Sequence, residues 1–214
     1  MRIDHAHAIK LVILGRDGTL NEYRDDHVKD PDELTAIPGA LEAVARLNHA
    51  GWHTVLATNQ PGIARGLFDM VTLNAVHLRL NQMLAEKGAR ISAAFFCPHG
   101  PEDGCDCRKP LPGLIEQIGE RFGVDLGQVH MVGASLTDLK TAFAAGCVPH
   151  LVRTGKLGSL SEEQLTEQVA QVPGARVHAD LAAFADELIQ RERRARADAR
   201  GEVLTPPTEP GGLS

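Results

Sequence analysis

Several short stretches carry residues of the type and spacing that chemistry needs. The most specific is Cys97-Pro98-His99 followed by Cys105-Asp106-Cys107, a C-x-H-x5-C-x-C arrangement. Three thiolates and one imidazole complete a closed tetrahedral shell for Zn²⁺. A closed shell leaves no position for a substrate, so Cys97, His99, Cys105 and Cys107 are expected to hold a structural ion. That ion would pin a loop too polar to fold unaided. Directly after it come Arg108 and Lys109, which can meet anionic groups by a bidentate fork and a point charge. Asp17 follows a run of branched apolar residues, 11–14, in a glycine-bearing polar loop. Thr58-Asn59-Gln60 offers a hydroxyl and two amides. Gly133-Ala134-Ser135-Leu136-Thr137-Asp138 ends another apolar run on a carboxylate.

The elements that must position these residues alternate. Strands are expected over 9–14, 52–57, 91–96, 129–132 and 150–152, with an edge strand over 175–178. Helices are expected over 39–47, 69–87, 113–122, 137–145, 161–169 and 180–194. Strands alternating with helices predict an α/β fold with a parallel sheet covered on both faces. The polar segments after the first, second and fourth strands then meet at one edge of the sheet, where open α/β folds bind ligands. The domain organisation expected is an N-terminal extension over 1–8, one domain over 9–194 with the zinc loop at 97–110, and a disordered tail over 195–214. The tail is rich in Pro, Gly, Glu and Thr, which cannot bury a core.

Composition narrows the function classes. The chain has 214 residues, 43% of them hydrophobic and 23% charged, within the range of a globular domain. A net charge of −6 argues against a nucleic-acid surface. No apolar run reaches the ~18 residues of a membrane span, and residues 1–7 contain no apolar core of a signal peptide. Three clustered cysteines without an export signal favour a metal over disulfides, which places the protein in the cytoplasm. Nothing calls for more than a monomer. Cys147, set among alanines, is expected in the core. None of His5, His7, His27, His49, His53, His77, His130, His150 and His178 shows ligand spacing. Only His27, in the long loop after the first strand, is a candidate for substrate contact.

Gly15-Arg16-Asp17-Gly18-Thr19 resembles the first motif of the haloacid-dehalogenase (HAD) phosphatases, Asp-x-Asp-Gly-Thr, with glycine in place of the first aspartate. Thr58-Asn59-Gln60, Arg108-Lys109-Pro110 and Gly133-Ala134…Asp138 resemble the second, third and fourth motifs. With the Cys-Pro-His and Cys-Asp-Cys-Arg-Lys-Pro elements, residues 9–156 look like the zinc-containing small HAD phosphatases. Within that group they are similar to the D-glycero-D-manno-heptose-1,7-bisphosphate phosphatases, with histidinol-phosphate phosphatases as near relatives. The resemblance implies a Rossmann-like HAD domain with a minimal cap and a phosphorylated sugar as ligand. It also implies that Asp17 is the acid/base, that Thr58 and Lys109 stabilise the transferring phosphoryl group, and that Asn59, Gln60 and Arg108 bind substrate.

Two roles cannot be carried over. In the family the residue at position 15 is the nucleophile and the residue at 134 a Mg²⁺ ligand; here they are Gly15 and Ala134. A hard cation needs anionic oxygens, so Mg²⁺ binding is expected to be weak or absent. The sequence-level expectation is therefore a phosphatase scaffold that is not an enzyme as written. The alternatives are a non-catalytic module binding a phospho-sugar or a protein, and a parent activity on histidinol phosphate.

Overall fold

The computed structural model describes residues 9–201; the expected 1–8 extension and the tail beyond 201 lie outside them. Six strands form one sheet: β1 (Leu11–Leu14), β2 (His53–Asn59), β3 (Ala93–Cys97), β4 (His130–Gly133), β5 (Val148–Val152) and β6 (Arg176–His178). The six helices are α1 (Ala40–His49), α2 (Met70–Glu86), α3 (Gly113–Phe122), α4 (Leu136–Ala144), α5 (Glu162–Val169) and α6 (Leu181–Arg200). Every strand pair is parallel and the order is β3-β2-β1-β4-β5-β6. The expected α/β fold, a HAD Rossmann-like sheet with helices on both faces, is the one observed.

The sequence of β1 explains its central place. Leu-Val-Ile-Leu is apolar at every position, and all four residues are buried, as a strand covered on both faces requires. Alternation sends Val12 and Leu14 into a core with Val44, Leu47, Leu80, Leu84 and Phe184, under α1, α2 and α6. Leu11 and Ile13 enter the opposite core with Leu114, Ile115 and Ile118 of α3. The register places Leu14 beside Leu56 of β2 and Val132 of β4. Helix starts are fixed locally: Asp69 accepts from the Thr72 amide, Asp180 from the Ala183 amide, and Ser161 and Gln164 form a capping box.

The C-terminal boundary needs correction. Residues 195–200, placed in the tail by composition, are the last turns of α6. The run Ala195-Arg196-Ala197-Asp198-Ala199-Arg200 favours helix at nearly every position. Ala197 is buried, Arg196 pairs with Glu192, and Gly201 closes the helix at φ 69°. Glu192 also takes Lys10 and the Trp52 indole N–H, which ties α6 to the starts of β1 and β2.

Three histidines form a ladder across successive strands. His130 Nδ1 lies 2.9 Å from His150 Nε2, and His150 Nδ1 lies 3.0 Å from His178 Nε2. His178 Nδ1 is 3.4 Å from Glu187 Oε2. Phe184 of α6 sits edge-on to all three rings. Glu187 beside His178 Nδ1 sets the direction: His130 and His150 donate from Nδ1, so His150 and His178 accept at Nε2 and are neutral, and burial keeps His130 neutral as well. Burial is the main cause of depressed basicity in each. It takes His130 to about 4, with Arg176 adding to it. It takes His150 to about 2, with the neighbouring imidazoles and Arg176 adding. For His178, Glu187 opposes the fall without reversing it.

The sign of the pH effect follows. The unfolded histidines take up protons below about pH 6.5 while the folded ones do not, so stability is lost as pH falls through that value. The urea midpoint is expected to drop between pH 6.5 and 5, a window in which carboxylates remain ionised. A midpoint that stays flat across that window would contradict the neutral ladder.

Candidate active site

The carboxyl ends of β1 and β4 lie side by side, with Gly15 N donating to Val132 O at 2.8 Å. After β1 the sheet order runs outward to β2 and β3 on one side and to β4, β5 and β6 on the other. At such a reversal the loops separate and a crevice opens. Here the crevice is a cavity of about 540 Å³ lined by Gly15, Asp17, Thr58, Asn59, Arg108, Lys109 and Ala134. The four motifs are thus brought to one place from distant parts of the chain.

Asp17 is held by three side chains. Arg16 Nη2 donates to Oδ1 at 3.0 Å and Arg16 Nε to Oδ2 at 3.2 Å. Asn21 Nδ2 donates to Oδ1 and Gln60 Nε2 to Oδ2, each at 3.0 Å. Burial pushes the Asp17 carboxyl up. The Arg16 charge and the hydrogen bonds from Asn21, Arg16 and Gln60 outweigh it and hold the group below its usual value. The side chain remains 24% exposed to the cavity.

The amides serve differently from expectation. Gln60 is fully buried and does not line the cavity; its Nε2 bridges Asp17 Oδ2 and Thr58 Oγ1, the latter at 2.9 Å. It is a tether between two site residues. Asn59 lines the cavity, but its amide is committed to Lys109: Nδ2 donates to Lys109 O and Oδ1 accepts from Lys109 N, both at 3.1 Å. Arg108 Nη1 donates to His99 O at 3.1 Å, which leaves the rest of the guanidinium at the cavity rim. The ties of Gln60 to Asp17 and of Asn59 to Lys109 join residues distant in sequence, so motif spacing could not reveal them.

Lys109 is buried and ion-paired with Asp138; its Nζ also donates to Ala57 O at 2.9 Å. Asp138 Oδ2 in turn accepts from Ser135 Oγ at 2.7 Å and Ala134 N at 3.1 Å. Asp138 stands in the first turn of α4, behind the N-cap Ser135. Gly133 is fixed by the contact: a Cβ there would stand 2.2 Å from the Cβ of Asp138. Gly15 is not fixed in that way. Its φ is not positive, and a Cβ would meet Thr19 Oγ1 at 3.0 Å, a buried hydroxyl with no hydrogen-bond partner among the described residues. A carboxylate at 15 could therefore accept from Thr19 after a small side-chain shift.

Among the described residues, Cys97, His99, Cys105 and Cys107 are the one group whose ligand atoms converge, all within 4.8 Å of one another. Cys97 Sγ lies 3.7 Å from Cys105 Sγ, 3.1 Å from Cys107 Sγ and 3.6 Å from His99 Nδ1. His99 Nδ1 is 3.3 Å from Cys107 Sγ. Bonds of about 2.0–2.3 Å to a tetrahedral ion give separations in this range. Cys147 is buried in the core as expected. His27 lines the cavity with φ 66°, a conformation non-glycine residues seldom adopt.

Removing one member of a buried ion pair leaves the other charge uncompensated. Lys109→Met is therefore expected to cost about 3 kcal/mol of unfolding free energy, read from urea denaturation. Lys109→Met with Asp138→Leu should recover part of that loss. A single variant as stable as the parent would show that the pair is not buried as described.

A family profile described as HAD-hydrolase-like matches residues 106–184. D-glycero-β-D-manno-heptose-1,7-bisphosphate 7-phosphatase of Bordetella bronchiseptica is 52% identical over 85% of this chain and 99% of its own length. The enzyme of the same name from Pseudomonas aeruginosa is 48% identical over 84% of this chain and 98% of its own. The crystal structure of the B. bronchiseptica D,D-heptose 1,7-bisphosphate phosphatase, complexed with magnesium and phosphate, superposes with a TM-score of 0.78. It is 51% identical and covers 86% of this chain and 99% of that one. The Burkholderia thailandensis D,D-heptose 1,7-bisphosphate phosphatase gives a TM-score of 0.63 at 44% identity.

The expectation that the chain is not an enzyme is overturned by these relatives, which are named phosphatases at 48–52% identity over most of the chain. That expectation rests on the side chains of two positions. The similarity runs through the whole domain, whose loops assemble Asp17, Thr58 and Lys109 around one cavity. The chain belongs to the D-glycero-β-D-manno-heptose-1,7-bisphosphate phosphatase family of HAD-like hydrolases.

Proposed function

We propose that this chain hydrolyses a phosphate monoester of a sugar bisphosphate, with D-glycero-β-D-manno-heptose 1,7-bisphosphate as substrate and the 7-phosphate as the group removed. The observation that carries the reading is the meeting of Asp17, Thr58 and Lys109 at the end of β1, in a cavity with Arg108 at its rim. The names of the relatives favour the heptose over histidinol phosphate. Lys109 and the Thr58 hydroxyl face the transferring phosphoryl group and offset its charge. The free N–H groups of Arg108 suit the distal phosphate.

With glycine at 15, the phosphoryl acceptor in this chain is water. Asp17 takes a proton as the water oxygen bonds to phosphorus, the bond between phosphorus and the sugar oxygen breaks, and that oxygen receives the proton. Magnesium, present in the B. bronchiseptica structure, does not fit the donors here. The carboxylates lining the cavity are Asp17 and Asp138, and both are engaged by cationic and N–H donors. Zinc fits the Cys97, His99, Cys105 and Cys107 set. When bound it supplies folding free energy to the segment that carries Arg108 and Lys109.

Phosphate release from heptose bisphosphate tests the reading. The parent chain is expected to turn over, more slowly on histidinol phosphate. Gly15→Asp combined with Ala134→Asp is expected to be at least about a hundredfold faster, since it adds a covalent nucleophile and an anionic metal ligand. No release by the parent at millimolar substrate would overturn the proposal, and equal rates would remove any role for positions 15 and 134. Elemental analysis should find about one zinc per chain, and a chelator should lower the melting temperature by several degrees. A metal-free protein with an unchanged melting temperature would contradict the zinc assignment.

A further inference from the structure

Arg16 is among the largest fully buried side chains of the protein, at 1% exposure. Arginine is seldom buried unless its charge is matched. The anion that matches it is Asp17, reached from Nη2 and Nε. The far side of the guanidinium points elsewhere: Nη1 lies 3.5 Å from Nε2 of His77, on α2. The His77 ring is itself set by an edge-on contact with Phe96 of β3, 6.4 Å between centroids.

We propose that His77 is a positioning residue, holding Arg16 from α2 so that Arg16 holds the Asp17 carboxylate at the cavity wall. This rests on the assignment of Asp17 as the acid/base. The chemistry admits one arrangement of protons. An arginine donates at every nitrogen and accepts at none, so the nitrogen facing Nη1 must carry a lone pair. His77 is therefore neutral, with its proton on Nδ1 and Nε2 free to accept. Its surroundings agree on balance: burial opposes a second cation there, Arg16 opposes it further, and Asp17, beyond Arg16, works against this without reversing it. The result is a chain of contacts from α2 through a buried guanidinium to the one group asked to move protons. No motif spacing contains it, because residues 16 and 77 belong to separate segments.

The test reads Asp17 and His77 directly by NMR on the intact protein. At pH 7 the His77 Nε2 signal should be that of an unprotonated ring nitrogen. The Asp17 side-chain carboxyl is then titrated in the parent and in variants. Arg16→Met should raise its midpoint by about one pH unit or more, the size expected when an adjacent cation is lost. His77→Phe keeps a ring against Phe96 but removes the acceptor, and should raise the midpoint in the same direction by less. His77→Gln restores an acceptor and should return it toward the parent value. An unchanged midpoint in His77→Phe, or a failure of His77→Gln to restore it, overturns the proposal. Should Arg16→Met fail to fold, the His77 pair decides alone. Phosphate release is measured in parallel. Release by none of the proteins, with the titration shifts as expected, would overturn the functional reading and leave the positioning role standing.

Discussion

The site exists because β1 is buried on both faces and ends where its neighbours' connections part. A strand with Leu11, Val12, Ile13 and Leu14 all buried can occupy only the middle of the sheet. Once it lies between β2 and β4, the residues after it have no helix above them and must meet solvent or a ligand. Gly15, Asp17, the Thr58 loop and the Ala134 loop are brought together by that topology. The helices bury the rest, and the long segment of residues 98–112 delivers Arg108 and Lys109 from one further strand away.

Electrostatics organises the crevice in layers. Arg16 neutralises Asp17 from below the surface, and Lys109 neutralises Asp138 beside it. Neither charge is free, and each is fixed by neutral donors as well: Asn21 and Gln60 for Asp17, Ser135 and the Ala134 amide for Asp138. Such networks hold their members in single positions because an unpaired buried charge is so costly. With alanine at 134 and glycine at 15, cationic and N–H groups dominate around the remaining carboxylates. A positive balance of this kind favours anionic over cationic ligands.

Glycines show how the same crevice constrains the backbone. A Cβ at Gly155 would stand 2.6 Å from that of Ala134, and one at Gly133 would overlap Asp138. Those positions are glycine because two segments approach each other closely. Gly15 is different, since neither its φ nor its neighbours demand glycine. Its nearest contact, the Thr19 hydroxyl, is a buried group without a hydrogen-bond partner among the described residues.

The sequence by itself determined what is local or periodic. The apolar run of β1, the alternation of strands and helices, and the exact extent of α3 could be read directly, because burial on two faces and 3.6-residue periodicity leave their mark on consecutive residues. The convergence of Cys97, His99, Cys105 and Cys107 was legible for a similar reason: all four lie close together in sequence, at the end of β3 and in the segment that follows it. Composition failed at residues 195–200, where helix propensity and the buried Ala197 extend α6. The tertiary structure alone decided the long-range pairings. It made Gln60 a tether between Asp17 and Thr58, committed Asn59 to the backbone of Lys109, and placed His77 behind Arg16. It also aligned His130, His150 and His178, which stand on three different strands. Strand order and register set such contacts, and both are properties of the assembled sheet. No single segment of chain contains them.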